Sequence, residues 1–253
     1  MGGLTDTHVH LDMREFRRDR TEVLERIKEN MDFVVNIGCD VKSSRESVRL
    51  AEKYPFVYAA VGIHPSDITG FCYEWEVELE KLCAHPKVVA LGEIGLDYHW
   101  MTEPAEVQRE VFAELLSLAE KVKKPVVIHT REAMEDTLRV LSDYPETRGI
   151  MHCYPGSVAE IPRLKNFTFG IGGVLTFPNS KNLREVVEKT PIDRLVLETD
   201  CPFLTPAPFR GKRNEPLYTE YVAREIARIK EMDYEDVVRI TNENARAVYG
   251  IKG

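Results

Sequence analysis

Along nearly the whole chain, short apolar runs rich in Val and Ile alternate with longer stretches in which apolar side chains recur every third or fourth position. Short apolar runs bounded by polar or turn residues read as buried strands, and the longer pattern as amphipathic helices. This predicts strands at Leu4–His10, Phe33–Ile37, Val57–Ile63, Val88–Ile94, Val126–His129, Ile150–Cys153, Phe167–Ile171 and Leu195–Glu198. Helices are predicted at Thr21–Asn30, Ser44–Lys53, Glu74–Ala84, Glu106–Val122, Ala133–Ser142 and Leu183–Lys189, with Leu217–Glu231 and Tyr234–Tyr249 after the last strand. Strands interleaved with helices in this number predict a (β/α)8 barrel, which typically takes about 250 residues, so residues 1–253 are expected to form a single domain. An open doubly wound sheet would carry a glycine-rich phosphate loop after its first strand, where this chain has histidines instead. Gly170-Ile171-Gly172-Gly173 is not followed by the pattern of a nucleotide cradle.

Charge narrows the function classes. The 42 acidic against 34 basic side chains give a net charge of -8, which disfavours a protein that coats long duplexes through a basic face. No apolar run approaches the roughly 18 residues of a membrane span. Met1-Gly2-Gly3-Leu4 lacks the basic and apolar regions of a signal peptide, and Asp6 stands where a myristoylation motif needs Ser or Thr, so a cytoplasmic protein is expected. Cys39, Cys72, Cys83, Cys153 and Cys201 are odd in number and form no C-x-x-C pair, disfavouring a disulfide framework or a thiolate zinc site. A single glutamine, Gln108, amid many Glu, Lys and Arg points toward a heat-adapted source.

In barrels of this kind the active site gathers at the carboxyl ends of the strands. Five of the seven histidines lie at predicted strand ends: His8 and His10 on the first, His64 on the third, His129 on the fifth and His152 on the sixth. Glu93 falls at the end of the fourth strand and Asp200 just after the eighth. Residues i and i+2 of a strand point the same way, so His8 and His10 present two imidazoles to one space. Taken singly, each has a plain structural explanation: a surface or core histidine pair, a barrel-layer acid paired with arginine, a loop-capping aspartate. Together, His8, His10, Glu93, His129, His152 and Asp200 are hard to explain as packing, because barrel interiors prefer Val, Ile and Leu and buried charges need partners. Four imidazoles and two carboxylates suit two divalent cations sharing a bridge, with zinc or manganese favoured over magnesium. His64 is a candidate substrate contact, although its imidazole could instead satisfy the turn begun by Pro65. Strand alternation turns Cys153 and Cys201 away from the site, which makes them small buried hydrophobes rather than nucleophiles.

Asp6-Thr7-His8-Val9-His10-Leu11, Gly62-Ile63-His64-Pro65, Gly92 to Tyr98, Pro125 to Arg131, Glu198-Thr199-Asp200-Cys201-Pro202 and Arg210 to Pro216 together closely resemble the TatD family of metal-dependent hydrolases. The resemblance spans essentially the whole chain. It implies a (β/α)8 barrel of the metallo-dependent hydrolase type with two divalent ions (Zn, Mn or Mg), and deoxyribonuclease activity. Carried over by position, His8, His10 and Asp200 would hold one ion, His129 and His152 the second, and Glu93 would bridge them, in place of the modified lysine of related amidohydrolase barrels.

The expected activity is cleavage of phosphodiester bonds from the end of single-stranded DNA, with Asp200 as general base and Glu93 as the bridging carboxylate. Arg131, Arg210, Lys212 and Arg213 are candidate phosphate contacts, and Tyr98, Trp100 and Phe209 could stack on unpaired bases. The expected partner is single-stranded nucleic acid as substrate, with no membrane and no obligate protein partner. Two alternatives belong to other classes: an amidohydrolase or esterase acting on a small non-nucleotide substrate, and a non-catalytic metal-binding scaffold.

Overall fold

A computed structural model describes residues 3–252 of the chain; Met1 and Gly2, on which part of the leader and lipid-anchor reading falls, lie outside them. The expected strands all form: β1 (Leu4–Val9), β2 (Met31–Ile37), β3 (Val57–Val61), β4 (Val88–Asp97), β5 (Val126–Arg131), β6 (Gly149–Met151), β7 (Phe167–Ile171) and β8 (Leu195–Leu197). They are hydrogen-bonded in sequence order in one eight-stranded sheet, with parallel ladders. The helices are α1 (Arg20–Asn30), α2 (Val41–Lys53), α3 (Tyr73–Cys83), α4 (Ala105–Val122), α5 (Met134–Ser142), α6 (Lys181–Lys189), α7 (Thr219–Lys230) and α8 (Tyr234–Tyr249). Between β6 and β7 the described residues hold only a 3-10 turn at Ile161–Arg163. This is the (β/α)8 architecture that the hydrophobic pattern predicts.

The contacts divide into two compact units. One takes the described residues up to Asn36, Cys153–Ile161 and those from Thr168 on; the other takes Ile37–His152 and Pro162–Phe167. In the first unit the last strand end meets the first: the Asp200 N–H donates to His8 O (3.0 Å) and the His10 N–H to Cys201 O (2.9 Å). Behind them α8 covers β1, and the buried Tyr249 hydroxyl donates to Thr7 O at 3.0 Å. Val9, Phe33, Val34, Phe169, Leu195, Val196 and Leu197 are buried there, as expected of strands with both faces covered.

In the second unit β4 is buried along all ten of its residues. It runs three residues past the predicted end at Ile94, because its register with β5 continues through Gly95↔His129 and Leu96↔Thr130 to Asp97↔Arg131. Gly95, a residue type that normally weakens a strand, is the reason the two strands stay close. Its φ is 142°, and a Cβ there would lie 2.0 Å from the His129 carbonyl oxygen. β6 and β8 end earlier than expected, so His152 and Glu198 stand just beyond their strands. Ser44, at the start of α2, is fully buried; its hydroxyl donates to Gly62 O (3.2 Å) and accepts from Gly62 N (3.1 Å), tying α2 to the end of β3.

Candidate metal centre

His8 and His10 lie on one face at the end of β1, as their spacing predicts, with their Nε2 atoms 3.2 Å apart. The Asp200 carboxylate closes the group, its Oδ1 lying 3.8 Å from His8 Nε2 and 3.3 Å from His10 Nε2. Both imidazoles are buried, whereas the Asp200 side chain keeps 17% of its surface. At this distance two neutral imidazoles can share one hydrogen bond. A divalent ion placed here would instead take a lone pair from each ring and charge from the carboxylate. Donor atoms of these three residues lie within 4.8 Å of one another.

Polar braces hold this geometry. Asp6 is fully buried at the start of the histidine motif; its Oδ1 accepts the N–H groups of His8 (3.1 Å) and Thr199 (3.0 Å), and its Oδ2 the Thr199 hydroxyl (2.5 Å). Burial pushes the Asp6 carboxyl up from its ordinary range, against the pull of these donors. Asn214 is fully buried as well, and its amide donates to Thr199 O (2.9 Å) and Phe203 O (2.6 Å), pinning the loop that follows β8. Glu198 has no exposed surface and accepts the Cys153 N–H at 2.6 Å. The alanine or larger residue that could replace Gly170 would collide with this carboxylate, whose Oε2 lies 2.1 Å from the position of a Cβ.

A second donor group stands in the other unit. His129 Nδ1 is 2.9 Å from Glu93 Oε1, and His152 Nε2 is 3.8 Å from the same oxygen. The His129 and His152 rings lie roughly parallel, with centroids 6.4 Å apart. On its far side His129 Nε2 meets Asp97 Oδ2 at 3.0 Å. Burial raises the Asp97 carboxyl, but hydrogen bonds from His129 and from the N–H groups of Trp100 and His99 outweigh it and hold it at about 2. For His129, burial works downward, yet Asp97 and Glu93 together shift it upward. His64 packs edge-on against His129, with ring centroids 4.4 Å apart, and its Nδ1 accepts the Ser66 N–H (3.1 Å). It therefore satisfies its turn and also stands at the donor group, joining Glu93 and His129 within 4.8 Å. The imidazole and carboxylate donors of these groups fit zinc or manganese, and magnesium less well.

The candidate substrate contacts separate into distinct kinds. Arg131 and Trp100 are both exposed, and the guanidinium lies 5.6 Å from the indole ring. Arg210 is exposed and sits 3.8 Å over the Phe177 ring. Arg213 differs: it forms a two-bond pair with Asp19 (2.7 Å each) and a further bond to Glu215 (2.8 Å), and it packs on Phe16. It is a structural cation, which corrects its reading as a phosphate contact. Phe209 stacks on Tyr218 at 4.7 Å, and the Tyr98 hydroxyl donates to Asp136 (2.7 Å), so neither matches Trp100 as an exposed face. Phe203, passed over in the sequence, is 48% exposed with its ring 6.5 Å from that of His10. The sequence marked none of Asp6, Asp97, Gln108, Thr199 or Asn214 as site residues, although all but Gln108 lie inside the motifs. Cys201 is buried as expected, burial pushing its thiol upward, and Cys153 is half-buried.

A metal-dependent hydrolase is the class that this fold and these donor groups define. The family model of TatD-related DNases matches residues 5–250, and the chain belongs to that family. It is 46% identical to the uncharacterized metal-dependent hydrolase YabD of Bacillus subtilis, covering 98% of this chain and 99% of that protein. It is 31% identical to a protein of Erwinia amylovora named 3'-5' ssDNA/RNA exonuclease TatD, over 97% of this chain and 99% of that one. Among solved structures, YjjV, a TatD homologue from Escherichia coli, superposes with a TM-score of 0.90 at 26% identity, covering 98% of each chain. No helix among the described residues is long and apolar enough to cross a membrane.

Proposed function

We propose that this hydrolase is a nuclease that removes nucleotides from the end of single-stranded DNA with the help of two divalent ions. His8, His10 and Asp200 would hold one ion and His129 and His152 the other, with Glu93 shared, all within a single barrel domain over residues 1–253. Such ions, when bound, lower the pKa of water and neutralise charge growing on the phosphoryl oxygens. The observation that carries the reading is the convergence of Asp200 on His8 and His10, because this carboxylate is part-exposed while the imidazoles beside it are buried. Asp200 can take the proton of the attacking water on its carboxylate, and the histidines keep that carboxylate oriented. Arg210 and Arg131 offer exposed guanidinium groups to backbone phosphates, and His64 a ring edge beside His129. The name of the Erwinia amylovora relative supports a single-stranded substrate.

A site ringed by the loops of a (β/α)8 fold accepts a chain end more readily than a continuous duplex. With a net charge of -8 and few candidate cations, binding should engage two to four phosphates, with a salt slope of about -0.7 per phosphate. The test compares linear with circular single-stranded DNA at equal concentration, metal and salt. Loss of the linear strand with the circle intact is the expected result. Equal cleavage of both would make the chain an endonuclease, and cleavage of neither, beside turnover of small esters or amides, would make it a small-molecule hydrolase.

A further inference from the structure

Toward the candidate ligand carboxylates Asp200 and Glu93, His8, His10 and His152 turn Nε2, whereas His129 turns Nδ1. The exception comes with its own brace. His129 Nε2 lies 3.0 Å from Asp97 Oδ2. An ionised carboxylate only accepts, so Asp97 holds a proton on Nε2, while Glu93, 2.9 Å from Nδ1, faces the nitrogen whose proton a divalent ion would replace. Asp97 cannot swing away. Its Oδ1 accepts the His99 N–H (2.9 Å) and the Trp100 N–H (3.0 Å), which leaves Oδ2 for the imidazole.

Gln108 fixes the backbone of the same residue. From the first turn of α4 its Oε1 accepts the Asp97 N–H at 2.8 Å, and its Nε2 donates to Asp97 O at 3.0 Å. A further bond from Nε2 to Glu103 O, at 3.0 Å, anchors the amide, and the side chain is only 1% exposed. The one glutamine of the chain thus clamps both backbone groups of the residue that orients His129. Gly95 lets β4 approach β5 closely enough for this reach, as a side chain there would strike the His129 carbonyl.

We propose that Gln108 and Asp97 are positioning residues that hold His129 as its Nε2–H tautomer, so that Nδ1 is the atom His129 gives to a divalent ion. The inference rests on His129 being a metal ligand but on no particular substrate. Partners of this kind typically alter metal affinity by about 10- to 100-fold.

Nitrogen-15 spectra of the histidine rings, recorded on the full chain loaded with zinc alone, test the proposal directly. In the wild type His129 should show a protonated Nε2 and a zinc-bound Nδ1. Asp97→Asn, with its weaker acceptor and similar volume, should lower zinc affinity about 10-fold in competition with a chelator, and Asp97→Ala up to 100-fold. Gln108→Leu should weaken zinc by a smaller factor and broaden the His129 signals, whereas Gln108→Glu, which keeps the acceptor for the Asp97 N–H, should restore part of the affinity. A wild-type His129 that binds zinc through Nε2 would overturn the proposal, whether or not the variants fold. So would wild-type zinc affinity in a folded Asp97→Ala. Because none of these measurements uses DNA, an inactive nuclease with the expected His129 spectrum would refute only the substrate reading, while a wild type that takes up no zinc would refute this inference and the metal centre together.

Discussion

Thr199 gives both its hydroxyl and its backbone N–H to the carboxylate of Asp6, at 2.5 and 3.0 Å, joining the first strand to the segment that carries Asp200. The same carboxylate takes the His8 N–H, so one buried group sets the spacing between a histidine of β1 and the aspartate after β8. Asp6→Asn places an amide that must donate where three donors already point. Leaving buried donors unsatisfied costs about 1–3 kcal/mol, so the urea midpoint should fall accordingly. Thr199→Val should have a smaller effect of the same sign. A midpoint unchanged in both variants would show that β1 and β8 are held by packing alone.

Chelation should lower the stability of the wild type, since an ion that binds only the folded chain contributes about 2.7 kcal/mol when present at 100 times its dissociation constant. Elemental analysis after reconstitution should approach two ions per chain, and Glu93→Gln should lower that number. Hydrolysis at saturating metal should drop by at least about 100-fold in Glu93→Gln and in Asp200→Asn, the scale of a lost general base or charge partner. Turnover near wild type in either variant would place the active centre elsewhere.

Arg210 and Arg213 lie three positions apart and should behave in opposite ways. Arg210 is exposed over Phe177, so Arg210→Ala should weaken binding of all single strands alike, with stability nearly unchanged, because a phosphate contact reads no base. Arg213 is held by Asp19 and Glu215, so Arg213→Ala should instead lower the unfolding midpoint. Fluorescence anisotropy with several oligonucleotides, alongside urea unfolding, separates the two. Equal binding losses in both variants would return Arg213 to the substrate face.

Glu225 on α7 accepts two hydrogen bonds from Arg228, each 2.9 Å, and pairs with Arg184 of α6. The Arg228 bonds and the Arg184 charge hold its carboxyl below the ordinary 4.5. The folded state therefore binds this proton less readily than the unfolded chain does. The resulting stabilisation is complete above the ordinary value and disappears as pH falls through the lower folded value. Glu225→Gln should cost about 0.5–1 kcal/mol at about pH 7 and nothing measurable well below the folded-state value. A variant equally destabilised across that range would be losing packing rather than charge.

Several features were legible in the chain because they depend on local periodicity. The order of strands and helices follows from alternating apolar patterns, and the pairing of His8 with His10 from the two-residue repeat of a strand. The donor types, four imidazoles and two carboxylates without thiolate, follow from residue identity alone, and so does the family. Tertiary structure decided what depends on contacts between distant residues. Gln108 is one amide among many helix positions until α4 is laid against the end of β4 and brings it to Asp97. Asp97 lies beyond the strand predicted to end at Ile94 until β4 runs past Gly95 and sets it opposite Arg131. Arg213 looks like Arg210 until Asp19, far away in sequence, takes its guanidinium. Periodicity fixes which face a side chain occupies, but the partner that restrains or neutralises it comes from another element. For that reason the candidate ligands could be read from the sequence, while the buried groups that orient them could not.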